Sequence, residues 1–271
     1  MDIWPFQPDL TARDYEAEEM EELEAVEAGI APVVRPVLEW APGCDTQEAK
    51  TPQLLLLGLP GAGALFLNGR FQKRKFVGSM RFPSAEVKGS AWEKQMLADQ
   101  TFTLYELLDE PSTLIVICQY DISSELSPAW ADVFFTHIKP QRTMILDSMT
   151  EYQFKQASEE TAPPLLRKLK TTLAHEIDAV EHLAPPSIIT GPAAAFLTWL
   201  EVRHLPAYLY VSLLETQFGR HDISVATLQA FETILSTLPA SVREVATTQT
   251  KAEYIKAINA VAKKDVSHLY L

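Results

Sequence analysis

From residue 31 onward, short apolar runs alternate with glycine, proline and polar clusters, and the apolar positions switch between two periodicities. Val33 to Trp40 is strand-like, though broken by Pro36. Leu54 to Leu57 is an uninterrupted leucine run, which predicts a buried strand leading into a glycine turn, with a helix following through Leu67. Phe76 to Phe82 predicts a further strand. Phe102 to Leu107 and Thr113 to Tyr120 frame Asp109-Glu110-Pro111-Ser112, a hairpin turn by composition, and place Cys118 in a core strand. Trp130, Val133, Phe134 and Ile138 are spaced for a helix over Pro128 to Ile138, and Thr143 to Leu146 reads as the next strand.

The second half repeats the alternation. Ser187 to Thr190 reads as a short strand, and Gly191-Pro192 opens a helix carrying Phe196, Leu197 and Leu200, with proline well placed in the first turn. Ala207 to Leu214 is a strongly apolar strand. Ser224 is the predicted N-cap of a helix running to Leu238, with Leu228, Phe231 and Leu235 on one face. A final helix is expected over Ala252 to Lys263. Helices and strands in alternation predict an α/β class.

The first thirty residues differ from the rest. Eight acidic residues fall between Asp14 and Glu27 with no lysine or arginine among them, a density that repels itself and offers little to bury. A flexible, acidic arm over residues 1–30 is expected, although Met20, Leu23 and Val26 recur at helical spacing and leave open a short amphipathic helix that docks on something. Residues 31–264 form the α/β domain, and 265–271 are left as a tail that reaches on the order of 20 Å when extended.

Charge narrows the classes of partner. The 271 residues carry a formal net charge of −13, which opposes general adhesion to nucleic acid or to an anionic membrane and points to proteins instead. Cys44 and Cys118 are the only cysteines, too few for a disulfide framework and without a CxxC pattern for zinc, so a reducing compartment is expected. No secretory signal is visible at the start, and the run from Leu54 to Leu67 is interrupted by three glycines and a proline. A soluble protein without membrane insertion is expected.

Candidate chemistry is thin. Gly58-Leu59-Pro60-Gly61-Ala62-Gly63 follows a strand, and Gly58 and Gly63 have the separation of P-loop glycines, but Ala64 and Leu65 stand where lysine and serine or threonine are needed. A tight strand-to-helix turn is the reading. His175, Asp178 and His182 would share one helical face with Glu176 and Glu181 nearby, yet the histidines are seven apart rather than four, so a solvated polar face is expected and no metal. Arg70, Lys73, Arg74 and Lys75, interleaved with Phe71 and Phe76, form a basic patch read as a solvated rim, with contact to an acidic protein as the alternative. No serine stands in a GxSxG context. No catalytic, cofactor-binding or metal-binding residue is predicted.

The chain closes on Leu269-Tyr270-Leu271. A hydrophobic-Tyr-any ending can fill an apolar socket with Leu269, present the ring and hydroxyl of Tyr270, and offer the carboxylate of Leu271 to a lysine. Together with Leu54 to Gly63, Thr161 to Thr171, Gly191 to Phe196 running on through Leu205 to Tyr210, and Ser224 to Ser236, it resembles the proteasome assembly chaperone family. The resemblance implies a three-layer αβα domain like nucleoside-phosphorylase-like folds, without catalysis and without a cofactor. It further implies an obligate heterodimer with assembly chaperone 2 that binds proteasome core alpha-subunits, promotes the alpha-ring and blocks off-pathway ring association. Leu269, Tyr270 and Leu271 would dock in an inter-subunit pocket. The implied location is the cytoplasm, with the nucleus or the endoplasmic reticulum surface beside it. An enzyme of nucleoside or nucleotide chemistry on the same fold, and a regulator of the mature proteasome, are the alternatives.

Overall fold

The computed structural model describes residues 35–44, 49–82, 101–119, 121–155, 164–217 and 220–267. Its centre is an eight-stranded sheet in the order β1-β3-β4-β5-β2-β6-β8-β7. These strands are β1 (Val37–Trp40), β2 (Leu54–Gly58), β3 (Arg74–Arg81), β4 (Thr101–Leu107), β5 (Thr113–Cys118), β6 (Arg142–Met149), β7 (Leu166–Lys170) and β8 (Ala207–Leu213). The four central strands β5, β2, β6 and β8 are parallel. Antiparallel strands flank them: β4, β3 and β1 on one side, β7 on the other. A separate small hairpin pairs β9 (Glu215–Gln217) with β10 (Arg220–Asp222).

A parallel strand covered on both faces has no polar side, and β2, β5 and β8 are buried at every position. Odd-numbered Leu55 and Leu57 join one core with Val116, Ile145 and Leu209, under α2 (Ser127–His137) and α3 (Gly191–Val202). Even-numbered Leu54 and Leu56 join a second core with Ile115, Met144 and Leu146, which receives Phe66 and Leu67 of α1 (Ala62–Arg70) and Leu228 of α4 (Val225–Ala230). The 3₁₀ turn Phe231–Thr237, α5 (Ala240–Val245) and α6 (Lys251–Ser267) complete that side. The expected three-layer αβα architecture is therefore the one observed.

Most predicted elements recur with boundaries moved by a few residues, and the exceptions have physical reasons. Ser187 to Thr190 is irregular rather than a strand, because the segment leads directly into the first turn of α3. The helix from Ser224 starts as predicted, with Thr227 N–H donating to Ser224 Oγ at 3.0 Å, but tightens into 3₁₀ geometry from Phe231. The last helix runs to Ser267, three residues into the stretch read as a tail. Strand β7 was not anticipated. It carries Arg167, Lys168 and Lys170 and has none of the apolar alternation that marks a strand. The acidic arm over 1–30 and the tripeptide Leu269, Tyr270 and Leu271 lie outside the described residues.

Candidate functional site

The glycine turn at the carboxyl end of β2 is closed by packing. A Cβ on Gly63 would lie 2.1 Å from the Leu146 carbonyl oxygen, and one on Gly58 would lie 2.7 Å from the carbonyl oxygen of Gly63. Only glycine lets α1 sit this tightly against β6. Ala64 N–H donates to Leu59 O at 2.9 Å and Leu65 N–H to Gly61 O at 3.1 Å, which ties the first turn of α1 back to the end of the strand. The tight strand-to-helix turn expected here is the one observed.

Two ionisable groups sit near that edge of the sheet, at the ends of β5 and β6. Burial pushes the Asp147 carboxyl up to about 7, and the nearby charge of Asp121 adds to the shift against a hydrogen bond from the Ser148 backbone. Burial, and then the charge of Asp147, holds the Cys118 thiol well above its ordinary range, which keeps it a protonated core side chain rather than a nucleophile.

The segment carrying His175, Asp178 and His182 is not a helix but an irregular strap along the outer edge of β7. Its backbone extends the sheet: Lys168 N–H donates to Glu181 O at 2.9 Å, and Leu183 N–H to Lys168 O at 2.8 Å. Lys168 Nζ donates to Glu176 Oε2 at 2.6 Å, Asp178 Oδ1 at 2.8 Å and Asp178 O at 3.0 Å. Tyr210 donates its hydroxyl to the other Asp178 oxygen, and Val180 N–H donates to Oδ1 at 2.9 Å. His182 Nε2 lies 2.9 Å from Glu176 Oε1. A lysine therefore occupies the carboxylates that a metal would need, and no metal-binding cluster of His, Cys, Asp and Glu is found among the described residues. The solvated face expected here holds for His175, Glu176, Glu181 and His182, which are exposed, and is corrected for Asp178, whose side chain is only 6% exposed.

The basic patch is likewise dispersed. Arg70 is buried, paired with Glu232 and donating to Thr247 O at 2.6 Å. Arg74 lies 4.2 Å from the Tyr105 ring and donates to Phe71 O at 2.9 Å. Arg70 and Arg74 are thus internal ties, not the solvated rim expected of them.

What remains open is a groove of about 610 Å³ between α2 and α3. Ala131 and Asp132 of α2 line one side; Ala194, Ala195, Trp199 and Val202 of α3 line the other. Val202 is 69% exposed, and Ile188, just ahead of α3, is 68% exposed. The signal in the sequence is the helix Gly191–Val202, which is apolar on nearly every side and carries no charge before Glu201. A second cleft, of about 550 Å³, opens at the amino ends of the parallel strands beside Arg142, His175 and Tyr208. The groove is lined mainly by small and apolar side chains, and the cleft by a mixed set that includes Glu110, Ser112 and Ser241.

The family model PAC1, described as proteasome assembly chaperone 4, matches residues 65–271. The chain belongs to the proteasome assembly chaperone family. That family is one of chaperones and not a class of enzymes. A Dictyostelium discoideum protein named proteasome assembly chaperone 1 is 21% identical over 234 residues, 84% of this chain and 83% of that protein. The Homo sapiens protein of the same name is 25% identical over 138 residues, so the match spans 49% of this chain and 46% of the human protein. Among solved structures, Pyrococcus furiosus PbaB, an archaeal proteasome activator, aligns over 86% of this chain and 98% of its own, with 11% identity and a TM-score of 0.54. Pyrococcus furiosus PbaA, an archaeal homolog of proteasome-assembly chaperone, aligns over 84% and 94% with 14% identity and a TM-score of 0.52. At such identities these two establish the family's fold alone.

No helix among the described residues is long and apolar enough to cross a membrane.

Proposed function

We propose that this chain acts by binding, as one half of a heterodimer with assembly chaperone 2, and holds proteasome alpha-subunits while the core-particle ring forms. The observation that carries this reading is the family match across residues 65–271, whose last three residues form a hydrophobic-Tyr-any sequence. Leu269 is the apolar anchor, Tyr270 the ring-and-hydroxyl contact, and Leu271 carries the carboxylate to a lysine at the floor of an inter-subunit pocket. Occupation of that pocket shields the outer ring face and blocks off-pathway ring association. The two free cysteines suit a reducing, cytoplasmic setting.

The reading is tested by a salt-controlled titration of assembled alpha-subunits with the heterodimer. Deleting Leu269-Tyr270-Leu271, or Tyr270→Ala, is expected to cost about 2 kcal/mol or more while leaving the domain folded. Affinity unchanged by the full deletion rejects tail docking. A pull-down from cells separates the alternatives: immature alpha-subunits mark an assembly chaperone, mature particles mark a regulator, and neither revives an enzyme.

A further inference from the structure

The cleft at the amino ends of the parallel strands is lined by an acid and a base that do not pair with each other. Leu54, at the start of β2, pairs with Thr113 of β5 on one side and with Arg142 of β6 on the other. Two strand spacings therefore set the starts of β5 and β6 about 10 Å apart. Glu110, in the turn just ahead of β5, and Arg142, at the head of β6, face the cleft from opposite sides of β2.

Each end keeps its charge available. The hydroxyls of Ser112 and then Ser241 hold the Glu110 carboxyl below the usual carboxylate range, so it is ionised at neutral pH. Arg142 is half-buried, and neither it nor Glu110 forms an ion pair among the described residues. The other charges beside Tyr208 are already matched: Lys168 takes Glu176 and Asp178. Tyr208 donates its hydroxyl to His175 O at 2.8 Å, which fixes the strap at this rim and leaves the His175 ring exposed next to Arg142.

Between the two charges the lining is neutral. Gln53 and Gln141 present side-chain amides that bond to no other described residue. Leu54 and Val242 are buried beneath them, and Leu173 forms a lip that is 52% exposed. A neutral ligand leaves both ends unmatched, an anion meets Glu110, and a cation meets Arg142. The complement is a molecule positive at one end and negative at the other, with its ends on the order of 10 Å apart. An extended peptide of about three residues has that reach.

We propose that this cleft binds a short zwitterionic peptide, its carboxylate on Arg142 beside His175, its ammonium on Glu110, and its backbone along Gln53 and Gln141. The volume of about 550 Å³ suits a small ligand. The site lies apart from the tail and requires neither tail docking nor the heterodimer.

The experiment is a calorimetric titration of the full chain with alanyl-leucyl-alanine in its free, N-acetylated and C-amidated forms, comparing wild type, Glu110→Gln and Arg142→Gln. The free peptide is expected to saturate the wild type in the millimolar range or below. Blocking either end, or making either substitution, should weaken binding about tenfold or more, the usual effect of losing a charge-assisted hydrogen bond. The losses should be crossed: acetylation costs nothing further in Glu110→Gln, and amidation nothing further in Arg142→Gln. Free leucine, whose charges are too close together to bridge β2, should bind at least tenfold more weakly. The blocked peptides test the wild type directly, so the outcome stands even where a variant fails to fold. No saturable binding of the free peptide by the wild type overturns the site. Equal affinity for free and blocked peptides, or for leucine, overturns the two-ended assignment, and inorganic phosphate binding as tightly as the free peptide reduces the cleft to an anion pocket and does the same.

Discussion

Lys168 Nζ lies 2.8 Å from Asp178 Oδ1, with the two side chains 2% and 6% exposed. The pair joins strand β7 to the strap that covers its outer edge, so charge holds the strap alongside the packing of Ala174, Ile177, Val180 and Leu183. Removing one partner strands the other charge in the protein, which typically costs about 3–5 kcal/mol, whereas removing both leaves a smaller deficit. Lys168→Met is therefore expected to destabilise more than the double variant Lys168→Met with Asp178→Leu, and urea unfolding of the three proteins checks the order. Equal stability of the single and double variants contradicts a coupled pair.

The same cluster sets an acid limit. Hydrogen bonds from Lys168 and then His182 hold the Glu176 carboxyl down at about 2. At Asp178, burial acts upward, but the hydrogen bonds from Lys168, Tyr210 and the Val180 backbone outweigh it and the net shift is downward. Groups depressed in the folded state stabilise above their unfolded pKa of ~4 and lose that contribution as pH falls toward the folded value. Wild type is expected to lose Tm steeply between about pH 4 and pH 2, and a variant lacking Glu176 and Asp178 should lose less over that interval. Thermal scans at stepped pH provide the measurement.

Asp147 works in the opposite sense. Its folded pKa is raised to about 7, so the folded chain binds the proton more tightly than the unfolded chain does, and stability falls as pH rises from ~4 through 7. Asp147→Asn should raise Tm at pH 8 and leave it nearly unchanged at pH 4. An equal Tm shift at both pH values contradicts a titrating carboxyl at this position.

At the strand-to-helix turn, Gly63→Ala forces a methyl onto the Leu146 carbonyl oxygen, backbone that cannot swing aside. Overpacking of this kind typically costs about 1–3 kcal/mol, and more where the obstacle is main chain. The denaturant midpoint should drop with an unchanged m-value. Calorimetry with Mg-ATP should show no binding by the wild type, because Ala64 and Leu65 stand where a phosphate-binding lysine and a magnesium-binding hydroxyl are needed.

Tyr254 anchors the last helix. It is 2% exposed, donates its hydroxyl to Glu232, and through that carboxylate shares a network with Arg70. Tyr254→Phe removes about 1 kcal/mol of hydrogen bonding and retains the ring, while Tyr254→Ala opens a cavity worth roughly 3–5 kcal/mol. Hydrogen exchange should show α6 amides deprotected in the alanine variant well before those of β2 or β6, since Tyr254 is the buried side chain among the described positions 251–260 of α6.

Local pattern was enough wherever a segment's neighbours in sequence decide its state. The leucine run Leu54 to Leu57 announced a core strand because a strand buried on both faces has no position left for a polar residue. Ser224 announced a helix start because its cap closes within three residues, and Pro192 did so because its ring presets the first turn. The same local signals placed Cys118 in the core and made the glycine run a tight strand-to-helix turn.

Tertiary structure alone decided the rest. Strand β7 reads as polar because it is held at the sheet edge by Lys168 and its carboxylates, and a charge buried through pairing looks in sequence like a charge in water. The groove needs α2 and α3, which are separated by more than fifty residues and become neighbours only because both cross the same face of the sheet. Periodicity along the chain encodes which face of an element is apolar. Where those faces meet, and which of them stays uncovered, depends on the order in which the strands pair, and that order is written in contacts between distant residues.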